Sequence, residues 1–241
     1  MKTMNAIALD LEGTVVDVEF AHHQGHILSA QDIGIDLTVD DCFALLPHFI
    51  GGPDDKVAED IVRLAEQREI YGKKPEDVLA TKRVHYEKLL RTADIRPRQG
   101  FLDFYRAVSA LGYYFTIGSL TAQEQARVLL DRSGIGALIG EDNIVLREHV
   151  QHVKPAPDVW YETAKRAGVN PSHQIVFEDS PKGICGAVSI GAYCIGMPVY
   201  NRPDAINALL QAGAKRIFMQ WNEINPEALM RNIASERQEM K

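Results

Sequence analysis

Apolar and polar positions follow two regimes along this chain. Near the start, Ala6, Ile7, Ala8 and Leu9 make a short apolar run that predicts a buried strand, ending on Asp10 and followed at once by Glu12, Gly13 and Thr14. From residue 18 to 95 the spacing is helical. A first helix is expected from about Val18 to Ile33, and Thr38 and Asp41 have the spacing of a capping box ahead of the run Cys42 to Leu46. Pro47 and Gly51, Gly52 and Pro53 break the pattern. Val57, Ile61, Leu64 and Ala65 then share a helical face, and a further helix is expected from Pro75 to about Arg91 with Val78, Leu79, Tyr86, Leu89 and Leu90 as its apolar side. No strand is expected in this stretch, and Ile95, Arg96 and Pro97 read as the hinge by which the chain returns.

From Gly100 helix and strand alternate. Helix Phe101–Leu111 precedes strand Tyr113–Ile117, which leads to Gly118 and Ser119. A capping box at Thr121 and Glu124 would open a helix running to about Ser133. A short strand at Ile144–Leu146 and a helix from Lys154–Pro157 to Gly168 come next. Strand Ile175–Phe177 ends in Glu178 and Asp179, with Ser180 and Pro181 as N-cap and first residue of the next helix. Tyr193–Ile195 and Arg216–Phe218 are later strands flanking a helix Pro203–Gln211. This order predicts an α/β fold: a doubly wound, parallel, Rossmann-like core formed by residues 1–17 and 96–241, with an inserted α-helical cap subdomain at 18–95.

In such a sheet the carboxyl ends of the strands share one edge, where ligands bind. That edge would collect Asp10 and Glu12, Ser119, Glu178 and Asp179, with Lys154 between them. Taken alone, Asp10 and Glu12 read either as paired acid/base or metal chemistry, or as a capped turn in which Asp10 and Thr14 satisfy backbone donors. The whole set changes the balance. Carboxylate oxygens suit Mg²⁺ together with a substrate phosphate, while Lys154 and Ser119 suit phosphate oxygens and an aspartate can serve as nucleophile.

Composition narrows the field. A net charge of −7 over 241 residues argues against a nucleic-acid or anionic-membrane surface. The three cysteines, Cys42, Cys185 and Cys194, lack zinc or disulfide spacing and read as reduced core residues. Residues 1–5 lack the apolar stretch of a signal peptide, and no run is long enough to span a membrane, so a soluble cytoplasmic protein is expected. Oligomeric state is not encoded in any pattern we recognise. His149 and His152 read as loop histidines rather than a zinc site. Trp160 and Tyr161 read as helix-face core, and Ser235–Lys241 as a solvated helix end.

Taken in order, Asp10 to Asp17, Ser119, the run Lys154 to Asp158 and the run Glu178 to Ile184 resemble the haloacid dehalogenase superfamily, and most closely its β-phosphoglucomutase and sugar-phosphatase branch. The resemblance implies that Asp10 is the nucleophile, that Ser119 and Lys154 hold the transferring phosphoryl group, and that Thr14 belongs to the phosphate-binding set. It also implies Mg²⁺ at Asp10, the backbone carbonyl of Glu12 and Asp179, with Glu178 assisting. The substrate would be a small-molecule phosphate ester. Most of the family carries Asp where this chain has Glu12, the general acid/base. The enolase-phosphatase branch resembles this chain in carrying Glu there.

His22 and Lys82 resemble substrate-contacting cap positions of the mutase branch, against plain readings as a polar helix residue and a solvated lysine. Where that branch carries an arginine for a second phosphate, this chain has Asp54, whose charge would repel one. The expectation is a Mg²⁺-dependent phosphatase working through an aspartyl-phosphate. The alternatives are a sugar-phosphate mutase and a catalytically quiet phosphate-ligand or partner-binding protein.

Overall fold

The computed structural model describes residues 6–50 and 53–239. The chain forms two compact units, one of residues 1–17 and 95–241 and one of residues 18–94. In the first, β1 (Ala6–Leu9), β2 (Tyr114–Gly118), β3 (Ile144–Val145), β4 (Gln174–Glu178), β5 (Tyr193–Gly196) and β6 (Arg216–Ile217) form a parallel six-stranded sheet in the order β3-β2-β1-β4-β5-β6. The order reverses beside β1, and open α/β sheets place their ligand crevice at such a switch point. Register makes the strand ends level: Leu9 lies opposite both Ile117 and Phe177, and the Asp10 amide donates to the Phe177 carbonyl at 3.0 Å.

All four residues of β1 are fully buried, as a central parallel strand requires, because helices cover both faces. On one face Ala8, Val176 and Cys194 pack with Val159 and Trp160 of α8 (Asp158–Ala167) and Ile184 and Ala187 of α9 (Pro181–Ser189). On the other, Phe177 meets Phe104 of α5 (Phe101–Ala110) and Trp221 at ring-centroid distances of 5.3 and 4.8 Å. The base of the excursion to residue 95 is fastened within this unit. Val16 bridges antiparallel to Pro97, and the Arg98 amide donates to the Val15 carbonyl at 2.7 Å.

The helical unit comprises α1 (Glu19–Asp32), α2 (Val39–Leu45), α3 (Asp54–Gln67) and α4 (Pro75–Thr92), and no strand occurs among its described residues. The box at Thr38 and Asp41 forms, so α2 starts at Val39, earlier than its apolar run. Ile35, Leu46, Phe49, Ile61, Ala65 and Val78 belong to this unit's own core. Gly51 and Gly52, read as pattern breakers, lie outside the described residues. Lys82 is 1% exposed rather than solvated. It occupies the four-residue row of Val78, Tyr86 and Leu90, so the helix turns it inward with them.

Several expectations are corrected. Thr121 does not cap the next helix, α6 (Gln123–Ser133). Ala122 is its N-cap, and the Glu148 carboxylate takes the Gln123 amide at 3.0 and 3.1 Å. Lys154–Pro157 is a turn, and α8 begins at Asp158. Tyr161 is 51% exposed, and Cys185 is exposed rather than core. The helix α7 (Ile135–Ile139) was not anticipated, and of α11 (Pro226–Glu239) only the end from Ser235 was; α10 (Pro203–Gln211) was expected. The C-terminal helix is stapled rather than merely solvated: Arg237 donates to the carbonyls of Ser172, His173 and Gln174, and Glu236 accepts from Tyr193 and Arg216. Residues 240 and 241 of that stretch lie outside the described residues. No helix among the described residues is long and apolar enough to cross a membrane.

Candidate active site

β1 and β4 end side by side, and their carboxylates converge. Asp10, 7% exposed, and Glu178, 1% exposed, are bridged by Lys154, whose Nζ donates to Asp10 Oδ1 at 2.6 Å and to Glu178 Oε2 at 2.7 Å. The ammonium also sits 4.6 Å from the centroid of the Trp160 ring. Oε1 of Glu178 accepts from the Ser180 amide and hydroxyl at 3.0 and 2.7 Å, while the same hydroxyl caps α9 through the Gly183 amide. Asp179 completes a group with Asp10 and Glu178 in which one oxygen from each residue lies within 4.8 Å of the others.

Two glycines make room for this group. Gly13 has φ of +76°, and a Cβ there would stand 2.3 Å from Asp179 Oδ2. A Cβ on Gly183 would stand 2.1 Å from the Glu178 carboxylate.

The electrostatics follow from crowding. Burial first, then Glu178, pushes the Asp10 carboxyl up to about 8, against the pull of Lys154. Burial and the neighbouring Glu178 and Asp10 raise Asp179 as well. Burial works against the charge on Lys154, but Asp10 and Glu178 outweigh it and hold the ammonium above the ordinary lysine value. Three carboxylates face a single ammonium, so full ionisation leaves a negative excess. An all-oxygen donor set with that excess fits a hard divalent cation such as Mg²⁺.

Glu12 turns elsewhere. Its Oε1 accepts from the Thr121 hydroxyl at 2.7 Å, and Thr121 Oγ1 lies 2.9 Å from Ser119 Oγ. The chain Ser119–Thr121–Glu12 thus ties the end of β2 to the turn after β1. Thr14 is fully buried: its carbonyl accepts from Trp221 Nε1 at 3.0 Å, and its hydroxyl has no hydrogen-bond partner among the described residues.

Sequence reasoning missed Arg98, 7% exposed, which donates to the carbonyls of Gly13, Met197, Pro198 and Met219 and so fixes the turn after β1. Its partners are backbone atoms, which leave no residue-type signal. Thr121 was also missed, because its spacing to Glu124 read as a cap. His149 Nδ1 accepts from the Leu146 amide at 2.9 Å and His152 Nδ1 pairs with Asp158 at 3.0 Å, so both have local structural partners.

The other candidates lie in the helical unit. Lys82 Nζ donates to Asp54 Oδ2 at 2.6 Å and to His22 Nδ1 at 2.8 Å, and His26 Nε2 pairs with Asp54 Oδ1 at 3.0 Å. Burial alone would raise Asp54, yet His22, His26 and Lys82 together hold its carboxyl far below the ordinary range. The acid expected to repel a phosphate is neutralised within its own unit.

Comparison with known proteins identifies the family. The family model for haloacid dehalogenase-like hydrolases matches residues 4–191. A phosphorylated carbohydrates phosphatase of Thermotoga maritima is 27% identical over 236 residues, 97% of this chain and 99% of its own. The fructose-1-phosphate phosphatase YqaB of Escherichia coli is 28% identical over 189 residues, 77% of this chain and 92% of its own. The crystal structure of a family IA, variant 3 hydrolase from Entamoeba histolytica superposes with a TM-score of 0.72 at 27% identity, covering 93% of this chain and 96% of that one. With the motif residues gathered at the switch point of the sheet and the family model spanning most of the core, this chain belongs to the haloacid dehalogenase-like hydrolases.

Proposed function

We propose that the protein is a Mg²⁺-dependent phosphatase of a small phosphorylated sugar, working through an aspartyl-phosphate on Asp10. The observation that carries this reading is the Lys154 bridge between Asp10 and Glu178, beside Asp179. It holds one oxygen of Asp10 by a charge-assisted bond, and the described residues place no hydrogen bond on the other, Oδ2. Oδ2 attacks phosphorus in line and the P–O bond to the sugar breaks. The leaving oxygen takes its proton from Glu12. Glu12 then removes a proton from water, the hydroxide oxygen bonds to phosphorus, and the acyl-phosphate bond breaks to release inorganic phosphate and restore Asp10.

Asp10, Asp179 and, as the family resemblance implies, the backbone carbonyl of Glu12 would hold Mg²⁺, with Glu178 assisting. When bound, the ion supplies positive charge against the phosphoryl oxygens. Lys154 and Ser119 orient those oxygens, and Thr14 shapes the turn that carries them. Residues 18–95 act as a cap that selects the substrate, with His22 and Lys82 as its contact residues.

The sugar-phosphate class is supported by the names of the two phosphatase relatives. Hydrolysis rather than mutase exchange is supported by Asp54, an acid where the mutase branch carries an arginine for the second phosphate. Purified protein should hydrolyse an aryl phosphate with Mg²⁺ and lose that activity in EDTA, and Asp10→Asn should remove it. Wild type and Asp10→Asn proving equally inert across a panel of phosphate esters would refute the reading.

A further inference from the structure

We infer that Thr121 is a positioning residue that holds the Glu12 carboxylate in place for proton transfer and so compensates for the extra methylene of Glu at that position. This rests on the phosphatase reading above. Glu has one more rotatable bond than Asp, so an untethered carboxylate would spread over more positions at the mouth of the site. Here it has an anchor. The Thr121 hydroxyl carries one proton, and it goes to Glu12 Oε1 at 2.7 Å, a charge-assisted bond.

With the Thr121 proton on Glu12, Ser119 is left as the donor across the 2.9 Å contact with Thr121 Oγ1, until a phosphoryl oxygen takes the Ser119 proton instead. A directed chain runs from Ser119 through Thr121 to Glu12. The anchor is itself fixed: the Thr121 amide donates to Ser119 Oγ at 3.2 Å, and the Thr121 carbonyl accepts from the Arg147 amide at 3.4 Å.

A second observation explains why this hydroxyl is available. The spacing of Thr121 to Glu124 suits a helix cap, which would have spent the hydroxyl on a backbone amide. Instead the first amide of α6 is taken by the Glu148 carboxylate from the 3-10 turn Arg147–His149, with Ala122 as N-cap. Glu148 thus takes an amide that a cap would have held, and the Thr121 side chain is turned to Glu12 instead.

Leaving-group dependence separates positioning from mere structure. An alkyl phosphate needs its departing oxygen protonated, whereas p-nitrophenolate leaves without help. General acid catalysis contributes about 10²–10⁴-fold, and a displacement near 1 Å can cost about 10²-fold. Thr121→Val should therefore lower kcat/KM for an alkyl phosphate such as glycerol phosphate by about 10- to 100-fold, but that for p-nitrophenyl phosphate by less than about 3-fold. Thr121→Ser, which keeps the hydroxyl, should return both substrates to within about 3-fold of wild type. Equal losses on the two substrates, or an unchanged alkyl rate, would overturn the inference while leaving the phosphatase reading intact. A wild-type protein inert on both would overturn the phosphatase reading and the Thr121 assignment with it.

Discussion

Replacing Lys154 with Met keeps most of its length and removes the charge that holds the carboxylate cluster together. The ammonium is nearly buried and makes charge-assisted bonds of 2.6 and 2.7 Å to Asp10 and Glu178. Removing one partner of a buried ionic group costs about 3–5 kcal/mol when the other stays charged. The survivors have an escape, because a carboxylate can take up a proton. Even with Lys154 present, the folded Asp10 keeps its proton up to about pH 8, whereas the unfolded group releases it near 3.8. Between those values the folded state binds more protons than the unfolded one, so stability falls as pH rises, and the loss is complete above the folded value.

Without Lys154 the folded carboxyls titrate higher still. Lys154→Met in EDTA should therefore cost little near pH 5 and about 3 kcal/mol near pH 8. At about 2–4 °C per kcal/mol for a chain of this size, the melting temperature should drop by roughly 6–12 °C at pH 8 and by less than half of that at pH 5. Thermal melts of wild type and variant at both pH values decide it. An equal drop at the two pH values, or a larger one at pH 5, would refute the reasoning.

Gly183→Ala would set a methyl 2.1 Å from the Glu178 carboxylate. Some shift is then unavoidable, and a loss of about 1–3 kcal/mol in denaturant unfolding is expected, with weakened Mg²⁺ affinity by titration calorimetry. Asp54→Asn strands the buried Lys82 charge. Because Asp54 is itself about one-third exposed, the expected cost is a discounted ~2 kcal/mol, read as faster amide hydrogen exchange in α1, α3 and α4 with the sheet unchanged.

Asp10, Ser119, Glu178 and Asp179 could be read from the sequence because each lies at or next to a strand end, and strand ends in a parallel sheet share an edge; Lys154 was read from its place ahead of a helix between them. Lys82 was hidden only by its charge: its spacing from Val78 and Tyr86 already placed it on the inward row. Thr121 was misassigned because local spacing competed with a partner 109 positions away, which no window contains. Arg98 bonds only to backbone carbonyls, so nothing about their side chains marks them. Helix α11 went unread over most of its length because its fixing contacts, through Glu236 and Arg237, lie with distant strands and loops. Tyr161 and Cys185 show the opposite error, with residue type taken as burial.

The pairing of Val16 with Pro97, and of the Arg98 amide with the Val15 carbonyl, makes the two ends of the long excursion neighbours within the sheet-bearing unit. The core therefore meets the cost of closing that loop itself, whatever the excursion contains. Closure cost grows by only about 0.6 kcal/mol for each doubling of loop length, so the excursion can change in size at small expense. The junction is in effect a socket. Helical inserts of other lengths and surfaces could be exchanged at residues 18–94 while the strand ends stay where they are.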